Sequence, residues 1–193
     1  HSTFLTGSTP ALTGIVGNEW WDRATRAPVT SVSDGGTQLL GASGTGSSPR
    51  RLLQSTLGDE LKASGKGGKV IGISIKDRSA ILPSGHTADA AYWFDNGSGS
   101  FVSSTYYFNA LPAWVTEINR GHPGDKYAGQ EWLKHKLPGG GPRLYSELEA
   151  TPYGNELIQQ FALRALSAEK LGAGPQTDVL TVSYSANDYV GHR

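Results

Sequence analysis

The chain has 193 residues, enough for one domain with a substantial core. Its 17 basic and 17 acidic side chains cancel, which argues against a nucleic-acid surface, because such surfaces carry a basic excess. It has no Cys, which excludes disulfides and thiolate metal sites; no apolar run is long enough to span a membrane, and no signal peptide is visible.

Residues 1–18 scatter Phe4, Leu5, Leu12, Ile15 and Val16 among Gly, Thr and Pro. This predicts the end of a short helix followed by turns. Trp20 and Trp21 come next. Such a pair can stack on a substrate, but one of the two packed beneath a loop is the commoner arrangement. The Gly/Ser-rich stretch 41–48 lacks the Lys-Ser/Thr ending of a phosphate-binding loop and reads as a connector. Ser48 and Pro49 have the chemistry of a helix cap and first helical residue. They predict a helix that carries Leu52, Leu53, Leu57 and Leu61 into the core and ends at Gly65.

Val70 to Ile75 is apolar, rich in β-branched side chains, and has the pattern of a strand buried on both faces. Two cations, Lys76 and Arg78, appear where it should end. Ligands in α/β sheets bind outside the carboxyl ends of strands, so these cations suit an anionic group there. Ordinary solvated loop charges are the competing reading. Residues 90–95 and 100–103 flank Asn96-Gly97-Ser98-Gly99, a hairpin signal. A short helix is expected over 111–120. Residues 121–145 are irregular, and His122 and His135 have no partner at metal-ligand spacing, so both read as exposed loop histidines. The stretch 86–145 as a whole reads as an irregular insert containing the hairpin. Thr151-Pro152 opens a helix whose buried stripe is Leu157, Ile158, Phe161, Ala162, Ala165 and Leu166, closed by Gly172. Residues 178–184 form a second apolar strand. Helix, strand, helix, strand implies an α/β fold with a parallel-dominated central sheet and helices on both faces.

That last strand leads into SANDYVGH, read as a polar loop. Asp188 and His192 lie close enough in it to reach one ion, and carboxylate and imidazole are good zinc ligands. An Asp-x-x-x-His pair is weak by itself, but this one sits at the same sheet edge as Lys76 and Arg78. A metal on one side and two cations on the other suit a phosphate or sulfate ester. Asn18, beside Gly14 and Gly17, is a turn residue in the plain reading and a donor to an anionic oxygen in the functional one.

The segments HSTFLTGSTPALTGIVGNEWWD, KDRSAILPSGH and SYSANDYVGH, in this order, closely resemble the alkaline phosphatase superfamily. The nearest branch is that of the PafA-type, phosphate-irrepressible bacterial alkaline phosphatases, related to nucleotide pyrophosphatase/phosphodiesterases. The resemblance implies hydrolysis of phosphate monoesters by two zinc ions through a Thr phospho-enzyme. It assigns Asn18, Lys76 and Arg78 to the substrate phosphoryl group, and Asp188 and His192 to one zinc. His1 matches the histidine that closes the family's Thr-x-Pro-Gly-His motif, which puts the nucleophile upstream of His1. Residues 1–193 then read as a partial catalytic domain, truncated at both ends, with no catalytic nucleophile and an incomplete metal set. The resemblance also implies a periplasmic or secreted enzyme acting on small-molecule phosphate monoesters. Phosphodiesterase, nucleotide pyrophosphatase or sulfatase activity, or a phosphate-binding relative without chemistry, are the alternatives it leaves.

Overall fold

The computed structural model describes residues 1–192. Its strands are β1 (Glu19–Asp22), β2 (Ala27–Thr30), β3 (Ser33–Leu40), β4 (Thr45–Ser47), β5 (Gly67–Ser74), β6 (Ala90–Asp95), β7 (Ser100–Ser104), β8 (Glu131–Trp132), β9 (His135–Lys136) and β10 (Thr177–Ser183). Its helices are α1 (Ser2–Thr6), α2 (Pro10–Thr13), α3 (Leu57–Ala63), α4 (Asp77–Ser84), α5 (Ala113–Arg120), α6 (Gly141–Leu148), α7 (Pro152–Ala168) and α8 (Ala186–Gly191).

Six strands form the central sheet in the order β10-β5-β6-β7-β3-β4. β5 is parallel to both neighbours, β10 and β6. The β6–β7, β7–β3 and β3–β4 pairings are antiparallel, so the sheet is mixed and its parallel part is confined to one side. The α/β expectation holds, and the hairpin expected within 86–145 supplies two of the sheet's own strands.

Side-chain alternation along β6 shows how the sheet is covered. Tyr92 and Phe94 enter one core, with Leu157, Ile158, Phe161 and Ala165 of α7. Ala91 and Trp93 enter the other, with Ala80, Ile81 and Leu82 of α4. Helices therefore cover both faces, which is why β5 reads as an unbroken apolar run: Val70 through Ser74 are all buried. Aromatic rings thicken the first core, where Phe101 stacks on Phe161 and Trp114 meets Tyr92 edge-on.

Three expectations change. The helix predicted from Ser48 begins instead at α3. The Ser48 amide donates to Val32 O and its hydroxyl to Asp34 Oδ2, at 2.8 and 2.6 Å, so Ser48 is fixed to the sheet side of the chain. The real cap is Thr56, paired reciprocally with Asp59 in a capping box. The leucine stripe is not a core stripe either: Leu52 is buried, whereas Leu53 and Leu57 are 69% and 59% exposed. The SANDYVGH stretch is a helix, α8, and not a loop. Its Ala186 amide is satisfied by Asn155 Oδ1 from α7, at 3.2 Å, a start signal supplied from elsewhere in the chain. Of the tryptophans, Trp20 packs partly against the second core and Trp21 stays exposed, as the packing reading expected. His122 is exposed, and half-exposed His135 pairs with Glu147 at 2.9 Å.

Asp59 ties α3 to the end of α4. Burial alone would raise its pKa, but amide donors from Thr56, Thr87 and His86 and the Thr87 hydroxyl outweigh this and hold it at about 2. A carboxyl with a depressed folded pKa stabilises above its unfolded value, near 3.8, and loses that contribution as pH falls through about 2. Urea unfolding from neutral pH to about pH 2 should show about 2 kcal/mol of stability lost through this group. Asp59→Asn should remove that acid-dependent loss and lower stability at neutral pH by a similar amount. A second check concerns the β5–α4 contact. A methyl at Gly72 would overlap the Ala80 carbonyl oxygen, backbone that cannot move aside. Gly72→Ala should cost about 3 kcal/mol in thermal unfolding, whereas Gly35→Ala, with open space around it, should be near neutral.

Candidate functional site

The carboxyl ends of β5 and β10 lie side by side, with Ser74 opposite Ser183 in the ladder. The Ser74 hydroxyl reinforces the pairing by donating to Ser183 O at 3.0 Å, and it accepts from the Lys76 amide at 3.3 Å. Beyond these ends opens a cleft of about 290 Å³. Asn18, Lys76, Arg78 and Asp188 line it, together with His1, Ser79 and the 183–185 segment. The residues come from four separate parts of the chain.

Each is held by local structure. The Asn18 carbonyl accepts the Ser31 amide at 2.9 Å, which fixes Asn18 at the root of the β1–β2 ribbon. Lys76 is the residue before the first turn of α4, at the point where the buried strand must give way. Its side chain is only 10% exposed, and its ammonium reaches Asp188 Oδ2. That ion pair, with smaller help from His192 and Arg78, holds the Asp188 carboxyl below its ordinary range. Asp77, between the two cations, does not compete for them: its carboxylate accepts from the Ser47 hydroxyl and the Arg78 amide, at 3.3 and 2.6 Å. The Arg78 guanidinium has no ion-pair partner among the described residues. Ser79 is buried, and its hydroxyl has no hydrogen-bond partner among them.

His192 stands just outside the lining. One turn of α8 brings its Nε2 within 3.4 Å of Asp188 Oδ1. The two exposed donors thus converge, and they fit as two ligands of a zinc ion. Among the described residues no group of three or more His, Cys, Asp or Glu side chains could hold a metal.

His1, read in the sequence only as part of a family motif, reaches the cleft, and two further residues at or beside it, Tyr189 and Ser79, escaped the reading of the sequence. His1 Nε2 lies 2.8 Å from the Ser183 hydroxyl. The Tyr189 ring faces the Lys76 ammonium, 4.2 Å from the ring centre. Ser79 is an ordinary small helix residue in the sequence, and only the geometry puts it at the cleft. A larger depression, about 590 Å³, lies at the opposite ends of β5 and β10. Two of its three lysines are in ion pairs, Lys62–Asp89 and Lys69–Glu169 at 2.7 and 2.6 Å, so it offers an anion less.

The family model for type I phosphodiesterase / nucleotide pyrophosphatase matches residues 1–193. The chain belongs to this family. Within the family's wider set of relatives, the chain is 40% identical to alkaline phosphatase PhoV of Synechococcus elongatus, covering all of this chain and 41% of that protein. It is 39% identical to a Myroides odoratus protein named calcium-transporting ATPase, covering all of this chain and 42% of that one. The crystal structure of wild-type alkaline phosphatase PafA superposes with a TM-score of 0.86 at 32% identity, covering all of this chain and 44% of that chain. The chain therefore spans less than half the length of the curated relatives it matches. The match to PafA also shows the fold over the whole of this chain.

Proposed function

We propose that the protein to which this chain belongs hydrolyses phosphate monoesters, and that the cleft at the ends of β5 and β10 receives the phosphoryl group. The observation that carries this reading is the convergence of Asn18, Lys76 and Arg78 with Asp188 on one cleft of about 290 Å³. The relatives named alkaline phosphatases support the same reaction class.

Each residue has a role that its chemistry allows. The Arg78 guanidinium, in no ion pair among the described residues, can bind two phosphoryl oxygens at once. Lys76 supplies a point charge, and the Asn18 amide donates to a further oxygen. Asp188 and His192 would hold one of two zinc ions, the remaining ligands and a Thr nucleophile lying outside residues 1–193. Bound there, zinc supplies Lewis acidity toward the ester and activates an oxygen nucleophile. Asp188, which pairs with Lys76 here, would be shared with a zinc ion bound there, leaving more of the Lys76 charge for the substrate. A monoester dianion carries one more charge than a diester, and two cations favour that extra charge. Location in the periplasm or outside the cell is part of the same proposal; no helix among the described residues is long and apolar enough to cross a membrane.

In the full-length protein, replacing Lys76 and Arg78 together by Ala should lower kcat/KM for an aryl phosphate about a hundredfold, while the methyl diester of the same phenol loses only a few-fold. Equal losses on both esters would remove this pair as the source of monoester preference, and a wild type that prefers the diester would make the protein a phosphodiesterase. Asp188→Asn and His192→Ala should each lower zinc stoichiometry after gel filtration; undiminished zinc in both would remove them as ligands.

A further inference from the structure

The structure holds Lys76 by more than its ion pair. Its ammonium sits over the Tyr189 ring, 4.2 Å from the centroid. The ring is itself fastened. Tyr189 is half-buried against the first core, with its ring packed there.

We propose that Tyr189 is a positioning residue for Lys76: its ring, packed against the first core, keeps the ammonium at the cleft, and the residue thereby sets the preference for dianionic over monoanionic esters. This rests on the reading of Lys76 as an ester-binding cation. The argument turns on what happens when Asp188 is engaged by a metal. A metal sharing the Asp188 carboxylate would weaken its hold on Lys76, and a nearly buried ammonium short of a partner is costly. The face of an aromatic ring is a partner that no metal competes for, and it attracts a cation without neutralising it. The full charge of Lys76 therefore stays available to the substrate. Tyr189 adjoins Asp188 on α8, and both side chains reach the Lys76 ammonium. The carboxylate and the ring grip the ammonium from adjoining positions of one element.

The test uses full-length, metal-loaded protein. kcat/KM for an aryl phosphate and for its methyl diester, the inhibition constant of inorganic phosphate, and zinc content are measured for Tyr189→Leu, Tyr189→Phe and Lys76→Ala, and for Tyr189→Leu combined with Lys76→Ala. Tyr189→Leu should lower the monoester-to-diester ratio about tenfold and weaken phosphate inhibition comparably, with zinc content unchanged. Tyr189→Phe, which keeps the ring, should recover most of the ratio. In the Lys76→Ala background, Tyr189→Leu should have no further effect on the ratio. A wild-type ratio in Tyr189→Leu, an equal loss on both esters, a loss of zinc in place of a changed ratio, or full additivity with Lys76→Ala would each overturn the proposal. If Lys76→Ala itself leaves the ratio unchanged, the reading of Lys76 fails and this inference with it. If Lys76→Ala collapses the ratio and Tyr189→Leu does not, only the inference fails.

Discussion

The whole arrangement depends on the way β5 ends. The strand is buried on both faces and has parallel neighbours on both sides, so its direction and register are set by the core. It passes beneath α4 so closely that Gly72 has no room for a side chain. The chain must turn within a few residues from buried strand to helix, and Lys76 is the residue on that turn. A cation placed there cannot drift toward solvent as it would on a surface loop. The core that stabilises the sheet also fixes where the charge stands, so stability and the candidate chemistry share one cause.

Electrostatics at the turn follow from that constraint. Four charged side chains crowd the carboxyl edge, and the structure sorts them. Asp77 turns toward Ser47 and the Arg78 amide, removing the acidic group nearest to the two cations. Lys76 is answered by Asp188 from a different strand's exit, and Arg78 is left without an ion pair among the described residues. An exposed ion pair contributes little. This one differs because the ammonium is nearly buried while the carboxylate is half open. The carboxylate is therefore the mobile partner, able to change allegiance while the ammonium stays in place.

Much of this was legible in the sequence, and the exceptions share a physical reason. The β5 and β10 strands, the β6–β7 hairpin, α5 and α7 follow from apolar period and turn chemistry, which are local properties. Placing Lys76, Arg78 and Asp188 at one edge needed only the rule that parallel strands deliver their exits to the same side; Asn18, a turn residue by its own neighbourhood, joined them only through the family resemblance. What failed was set by distant partners. Ser48 has the chemistry of a cap but spends its hydrogen bonds on Val32 and Asp34, so α3 starts at Thr56. Residues 186–191 read as a loop because their first amide is satisfied by Asn155, far back in the chain. Reading that stretch as a helix changes the site: Asp188 and His192 become one-turn neighbours on one face, and Tyr189 comes to face Lys76. Tyrosine in an apolar neighbourhood looks like core in any sequence, and nothing local distinguishes one that backs a cation.

Formal neutrality of the whole chain conceals a local imbalance. At the amino ends of β5 and β10 the depression contains Lys62, Lys69 and Lys170, and against them Asp89, Glu169 and Asp178. Two of these lysines are in short ion pairs, and Asp178 accepts the Lys69 and Gly172 amides. Charge there is spent within the protein. At the carboxyl ends, the cleft contains Lys76 and Arg78 against Asp188 alone, one cation in excess before any metal is added. A metal bound through Asp188 would widen that excess, since it adds positive charge and shares the one neutralising group. An anion that enters only one of these two depressions should therefore choose the smaller, because the sign and availability of charge, and not the volume of the opening, decide where a phosphoryl group is stabilised.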